Sequence, residues 1–265
     1  MKTRTLLLAA ALLAPALSFA GNTTVKGSDT MVVLAQRWAE AWMKEHPSKK
    51  IQVTGGGSGT GIAALINGTT VVATASRSMK PEEKAKLPAG AAAVETAVAR
   101  DGVAIYVNTA NPVETLTVEQ LKGIYLGDIT NWKQLGGKDA RIVLYSRENS
   151  SGTYVFVKEH VLKNGDFAAE AQTLPGTAAV VNAVSKEKNG IGYGGGAYAR
   201  GVKELKVEGI APTKEAVLSG KYPLSRPLFF YTKGAPAGEA KEFIDFCLSG
   251  AGQKIVSDVG YFPVK

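Results

Sequence analysis

Apolar and polar residues alternate along this chain in two periods, and the changes between them mark short strands and amphipathic helices. Thr24-Val25 and Ile51-Gln52-Val53 are β-branched runs that read as strands. From residue 30 to 45, Val33, Leu34, Trp38, Ala41 and Trp42 recur at helical spacing, and His46-Pro47 closes that helix. A helix over residues 61–67 and a strand at Val71-Val72-Ala73 follow. Two separate strands are expected at residues 94–97 and 102–108, with Asp101 at the start of the second. Thr117-Val118-Glu119-Gln120 has the form of a capping box for a helix through Ile124. Residues 141–145 read as a strand and residues 154–162 as a helix. Another helix is expected at 177–184, a glycine-rich strand at 190–194 and a strand at 226–231. Helices over 236–248 and 253–259 finish the chain. Strands alternating with helices imply an α/β architecture with parallel sheets.

Polar residues of one kind gather where strands turn into helices. Arg147-Glu148-Asn149-Ser150-Ser151-Gly152-Thr153 joins the 141–145 strand to its helix. A helix N-terminus leaves backbone N–H groups unpaired and carries partial positive charge. Ser151 and Thr153 add hydroxyl donors, Gly152 lets a ligand approach the backbone, and Arg147 offers a planar fork for two oxygens of one oxyanion. Ser-Gly-Thr is also an ordinary helix cap, but the device recurs. Gly55-Gly56-Gly57-Ser58-Gly59-Thr60-Gly61 precedes the second helix, and Gly27-Ser28-Asp29-Thr30 precedes the first. Arg77 follows another strand end, in Ala75-Ser76-Arg77-Ser78. In open α/β sheets ligands sit outside the carboxyl ends of strands, which is where Ser28, Ser58, Arg77 and Arg147 fall. Together they describe a site for an anion.

The compartment follows from the first twenty residues. Lys2 and Arg4 are a basic start, residues 6–17 are apolar, and Ser18-Phe19-Ala20 supplies small residues for cleavage after Ala20. The apolar run is too short to span a membrane, so an exported, soluble product is expected. Cys247 is the only cysteine; it excludes an intramolecular disulfide and reads as packing in an apolar helix. The formal charge of +8 falls by two when Lys2 and Arg4 leave. No basic run interleaved with aromatics appears, so no nucleic-acid partner is expected.

Enzyme chemistry has little support. His46 and His160 are the only histidines, and both lie in helical patterns away from the glycine-rich turns. Gly57-Ser58-Gly59 lacks the spacing of a nucleophile elbow. No lysine follows the glycine run as a P-loop requires, and no metal-ligand spacing of His or Cys occurs. No cofactor, metal or catalytic residue is expected. A phosphohydrolase with Ser58 or Ser151 as nucleophile is the rival from another class, and it lacks an activating base.

The same residues carry a family resemblance. Gly27-Ser28-Asp29-Thr30, the run from Gly55 to Gly61, Ala75-Ser76-Arg77, Asp101-Gly102, Arg147 to Thr153, Ile191-Gly192-Tyr193 and Gly260-Tyr261-Phe262-Pro263 occur in the order found in one family. The chain resembles the periplasmic phosphate-binding component of the Pst-type ABC phosphate transporter, over essentially its whole mature length. The resemblance implies a type II periplasmic binding protein fold, two α/β lobes around a ligand cleft. One lobe would hold residues 21–104 and 225–265, the other 105–224, with crossovers near residues 102–108 and 222–231. It also implies a monomer in the periplasm that binds inorganic phosphate and delivers it to a membrane-embedded ABC permease. Ser28, Thr30, Ser58, Arg147, Ser151, Gly152 and Thr153 would contact the ligand. Many relatives carry an acidic residue where this chain has Arg77; that carboxylate accepts the phosphate proton and rejects sulfate. An arginine cannot accept a proton, so Asp101 or Asp29 becomes the candidate acceptor. Asp101 could instead pair with Arg77 or Arg100, and another tetrahedral oxyanion (sulfate, molybdate or tungstate) is the alternative ligand.

Overall fold

The computed structural model describes residues 23–264; the expected signal peptide and its cleavage site lie outside them. β1 (Thr23–Gly27) leads into α1 (Val32–Glu45), β2 (Ile51–Thr54) into α2 (Ser58–Ile66), and β3 (Val72–Ala75) into a loop holding the one-turn α3 (Pro81–Lys84). The long β4 (Ala93–Val107) is followed by β5 (Thr115–Leu116) and α4 (Val118–Leu126). β6 (Val143–Arg147) feeds α5 (Gly152–His160); then come β7 (Gln172–Leu174), α6 (Gly176–Lys186), β8 (Gly190–Gly195), β9 (Lys203–Val207) and α7 (Lys214–Leu218). β10 (Ser225–Lys233), α8 (Gly238–Leu248) and α9 (Gly250–Val259) close the chain.

The strands run β2-β1-β3-β10-β4-β8-β6-β7 across a continuous sheet, and β4 is where it changes character. Ala93 to Gly102 pair antiparallel with β10, whereas Val103 to Val107 pair with β8. The two halves of β4 therefore belong to two lobes. Around β1, β3 and β10, Trp38, Trp42, Phe230 and Phe243 build one core; around the end of β4, Tyr125, Trp132, Tyr193 and Leu205 build another. Each lobe removes its own apolar faces from water.

The structure corrects two expectations. The strands expected at 94–97 and 102–108 are one strand. Arg100 and Asp101 look like a polar break, but they face Pro227 and Arg226 of β10, and Arg100 also exchanges backbone bonds with Phe262. The sheet is mixed rather than parallel. β1, β2 and β3 are mutually parallel, as are β6, β7 and β8, but β10 runs antiparallel to both neighbours and β4 to β8. A chain that crosses between lobes and returns must run antiparallel to itself at the crossing. Trp132 is buried in its connector, with its indole N–H donating to the Asn189 carbonyl. Cys247 is fully buried.

Candidate functional site

Three hydroxyls of the first lobe converge. Ser28 follows β1, Ser76 follows β3, and Ser58 opens α2; the first donates to Ser76 Oγ at 3.0 Å and Ser58 Oγ lies 3.4 Å from the same atom. Ser58 Oγ also accepts the Ser76 N–H at 3.0 Å. All three are buried. They meet because β1 and β3 are parallel neighbours and α2 packs over them, so three turns from one sheet end share one place. Gly57, at φ 93°, makes the sharp entry into α2; a side chain there would sit 2.5 Å from the Ser150 carbonyl of the other lobe.

The second lobe presents the N-terminus of α5 to these hydroxyls. A Cβ on Gly152 would lie 2.6 Å from Ser76 Oγ and closer still to Ser58 Oγ, so only glycine permits this approach. Ser151 caps the helix by accepting the Tyr154 N–H at 3.2 Å. That leaves the Gly152 and Thr153 N–H groups in a first turn with no intrahelical acceptor. The lobes also touch directly: Thr30 Oγ1 is 3.0 Å from Thr153 Oγ1, and the Gly59 N–H donates to the Ser150 carbonyl at 2.9 Å.

Arg147 is almost fully buried at the end of β6. It donates to Asp29 at 2.9 Å across the cleft, to Thr177 at 3.0 Å and to the neighbouring Glu148 at 3.2 Å. Asp29 is thereby committed on both oxygens, since its other one accepts the Gly56 N–H at 2.8 Å. It ties the glycine run to Arg147. Each carboxylate here stabilises a guanidinium that burial would otherwise make costly.

Two residues sit differently from expectation. Arg77 turns to Glu83, with contacts of 2.6 and 2.8 Å, and to the Ser78 carbonyl. Burial opposes charge on Glu83, but the Arg77 hydrogen bonds, the Lys80 N–H and the Arg77 charge hold its carboxyl below the usual value. Arg77 thus braces the loop after β3 with three of its five N–H donors, and its Nε is buried without a partner among the described residues. Asp101 pairs with neither Arg77 nor Arg100. It lies within β4, fully buried, and one of its oxygens takes both the Nε (3.0 Å) and Nη2 (2.8 Å) bonds of Arg226, its register partner on β10. Its other oxygen accepts the Gly196 N–H at 3.3 Å. Burial pushes its carboxyl above the usual range, against the pull of Arg226.

Ser76, Thr177 and Arg226 were outside the residues expected at the site. Ser76 lies in Ala75-Ser76-Arg77, beside the arginine expected at the site. Nothing near Arg226 or Thr177 in the chain marks them; both are brought in by strands and helices far away in sequence. His46 and His160 each bond a backbone carbonyl four residues back, those of Trp42 and Phe156.

A cleft whose lining is hydroxyls, helix-start N–H groups and a buried guanidinium is built for an oxyanion, and the comparisons agree. A family model described as a PBP superfamily domain matches residues 15–251. The phosphate-binding protein PstS of Bacillus subtilis is 37% identical over 247 residues, covering 92% of this chain and 81% of the relative. The chain belongs to the PstS family of phosphate-binding proteins. Its Pseudomonas aeruginosa relative, also a phosphate-binding protein PstS, is 36% identical over 92% of this chain and 83% of its own. Among solved structures, a phosphate ABC transporter substrate-binding protein from Clostridium perfringens with bound phosphate superposes with TM-score 0.86 and 36% identity, covering 92% of this chain and all of that one. A phosphate transport receptor from Vibrio cholerae gives TM-score 0.76 and 33% identity over 91% of this chain. The fold of this PstS-family chain is accordingly the type II periplasmic binding protein fold, and these relatives are transport receptors rather than enzymes.

Proposed function

We propose that this chain captures inorganic phosphate between its two lobes and delivers it to an ABC importer. The observation that carries the reading is the convergence of Ser28, Ser58 and Ser76 from one lobe on the Gly152-Thr153 helix start of the other, with Arg147 buried and bonded to Asp29, the residue after Ser28. Every one of these groups can donate to an anion, and no single lobe holds them all. An anion bound between them makes contacts in the closed arrangement that it cannot make in an open one, which is what drives closure. Thr30, Thr153 and Ser151 act with them. The lobes divide near residues 104 and 224, where the pairing partners of β4 change and β10 begins. Among the described residues no helix is long and apolar enough to cross a membrane; export by a signal peptide cleaved after Ala20, a periplasmic monomer and docking on a membrane-embedded permease complete the reading.

Calorimetry on the ligand-stripped mature protein tests it. Phosphate should bind at micromolar concentration; absence of heat and of any shift in melting temperature would remove the proposal. The commitment of Asp29 and Asp101 to arginines and backbone N–H groups favours carrying a second ligand class, since a protonated phosphate oxygen needs an acceptor. Sulfate, molybdate and tungstate competition at two pH values separates the cases. Competition by sulfate at both would show a site that reads tetrahedral shape and charge alone.

A further inference from the structure

Arg226 is the side chain that touches both lobes and the crossing between them. It stands second in β10, opposite Asp101 at the point where β4 passes from one lobe to the other. Its Nη1 donates to the Ser76 carbonyl at 3.1 Å, and its Nη2 donates to Asp101 at 2.8 Å, Thr153 Oγ1 at 3.1 Å and Thr30 Oγ1 at 3.4 Å. The guanidinium lies 5.3 Å from the ring centre of Phe156, on α5. It is as buried as Arg147, yet a carboxylate already neutralises it, so charge balance alone leaves its threonine contacts unexplained.

The hydrogens available on Nη2 give those contacts a role. Nη2 carries two hydrogens and faces three acceptors. Asp101 takes one, and the oxygens of Thr30 and Thr153 share the other. One threonine hydroxyl hydrogen is used in the 3.0 Å bond between the two. The other cannot point at Arg226, which has only donors, nor at the partner hydroxyl that is already donating. It is left to donate beyond the pair. Thr153 adjoins Gly152, whose backbone packs on Ser58 and Ser76, so the hydrogen is available on the anion's side.

We propose that Arg226 is a positioning residue for the ligand: it orients the Thr30–Thr153 hydroxyl pair to donate into the cleft and latches the lobes shut. This rests on the reading of the cleft as a phosphate site. Asp101, Ser76 and Thr30 belong to the first lobe and its crossing strand, whereas Thr153 and Phe156 belong to α5 of the second. Opening the cleft breaks the Thr153 bond and uncovers Phe156 while the Asp101 pair stays intact. The latch therefore acts on release of the ligand more than on stability of the fold.

The test compares phosphate affinity in the wild type, Arg226→Lys, Thr153→Val and the double variant. Lysine keeps the charge beside Asp101 but loses the fork. Arg226→Lys should weaken phosphate binding about tenfold or more, the usual worth of one charge-assisted contact. Its scattering radius at saturating phosphate should also exceed that of the wild type. Because Arg226 acts through Thr153, the double variant should bind no more weakly than the poorer single one, within about twofold. Unchanged affinity in Arg226→Lys, or losses that simply add, overturns the proposal while leaving the phosphate reading standing. A wild type that fails to bind phosphate overturns both. Should Arg226→Lys fail to fold, hydrogen exchange at the Arg226 guanidinium of the wild type decides: phosphate should slow it, and unaltered exchange removes the latch.

Discussion

Arg147 shows what a single buried cation demands of its surroundings. Three of its five N–H donors are met by Asp29, Glu148 and Thr177, two of these partners charged, and one hydrogen on each terminal nitrogen remains for a ligand. On the proposed phosphate reading, replacing it by alanine removes a charge-assisted contact to the ligand, worth about 1.5–3 kcal/mol, and also leaves Asp29 and Glu148 without their cation. Arg147→Ala should therefore lose at least about tenfold in phosphate affinity, and Arg147→Lys should fall between it and the wild type; titration calorimetry reads both. Cys247 is the opposite case, a polarisable side chain with no exposed surface. Burial pushes its thiol well above the usual range, so it should not react with a thiol reagent in the native protein and should react once denatured. Both residues were legible in the chain, Arg147 from its place between a strand and Ser-Gly-Thr, Cys247 from its apolar helix. Arg77 stands at a strand end in the same way, but its side chain turns along its own loop. Glu83, six residues on, takes its guanidinium, and a turn of chain decides which way a long side chain points.

At the scale of elements, β9 against β4 carries a titration of its own. Glu204 lies opposite Tyr106 in register, partly buried, with its carboxyl pushed up to about 7 by burial and then by the charge of Asp101. The folded protein thus holds this proton more tightly than the unfolded chain does. Between the ordinary carboxylate value and about 7 the native state binds more protons, so this group's contribution to stability is present at low pH and is lost as pH rises through that window. Glu204→Gln should flatten the decline of melting temperature between about pH 5 and pH 8 that this group causes, and an equal decline in the variant would place the proton elsewhere. Period and caps revealed most elements. The capping box at Thr117 is formed as its sequence implies, with Thr117 accepting from Gln120. The unbroken β4 was not legible, since Arg100 and Asp101 are polar and the residues that satisfy them, Phe262 and Arg226, are far along the chain.

For the whole molecule, the close approach of the lobes is the feature on which the proposed phosphate site depends. Gly152 sits where any Cβ would press on Ser58 and Ser76. Gly152→Ala should hold the lobes apart, giving a phosphate-saturated protein with a larger scattering radius than the wild type and affinity lower by about tenfold or more, as a clash transmitted to several contacts implies. A variant that closes and binds normally would show that the serines can turn aside.

The chain by itself determined the local chemistry. Strand ends followed by glycine and hydroxyl residues make helix starts that are able to receive an anion, because the unpaired N–H groups are a property of any helix terminus. It also determined the alternation of strands and helices, since periodicity reports which face is buried. Only the tertiary structure decided which of these groups face one another. Parallel pairing of β1 with β3 brings Ser28 to Ser76, and the two crossings set Arg226 against Asp101, with Thr30 and Thr153 held between lobes. Those partners stand 48 to 125 residues apart in the chain. Their meeting depends on how whole sheets pack, and that free energy is spread over the cores rather than written in any local run.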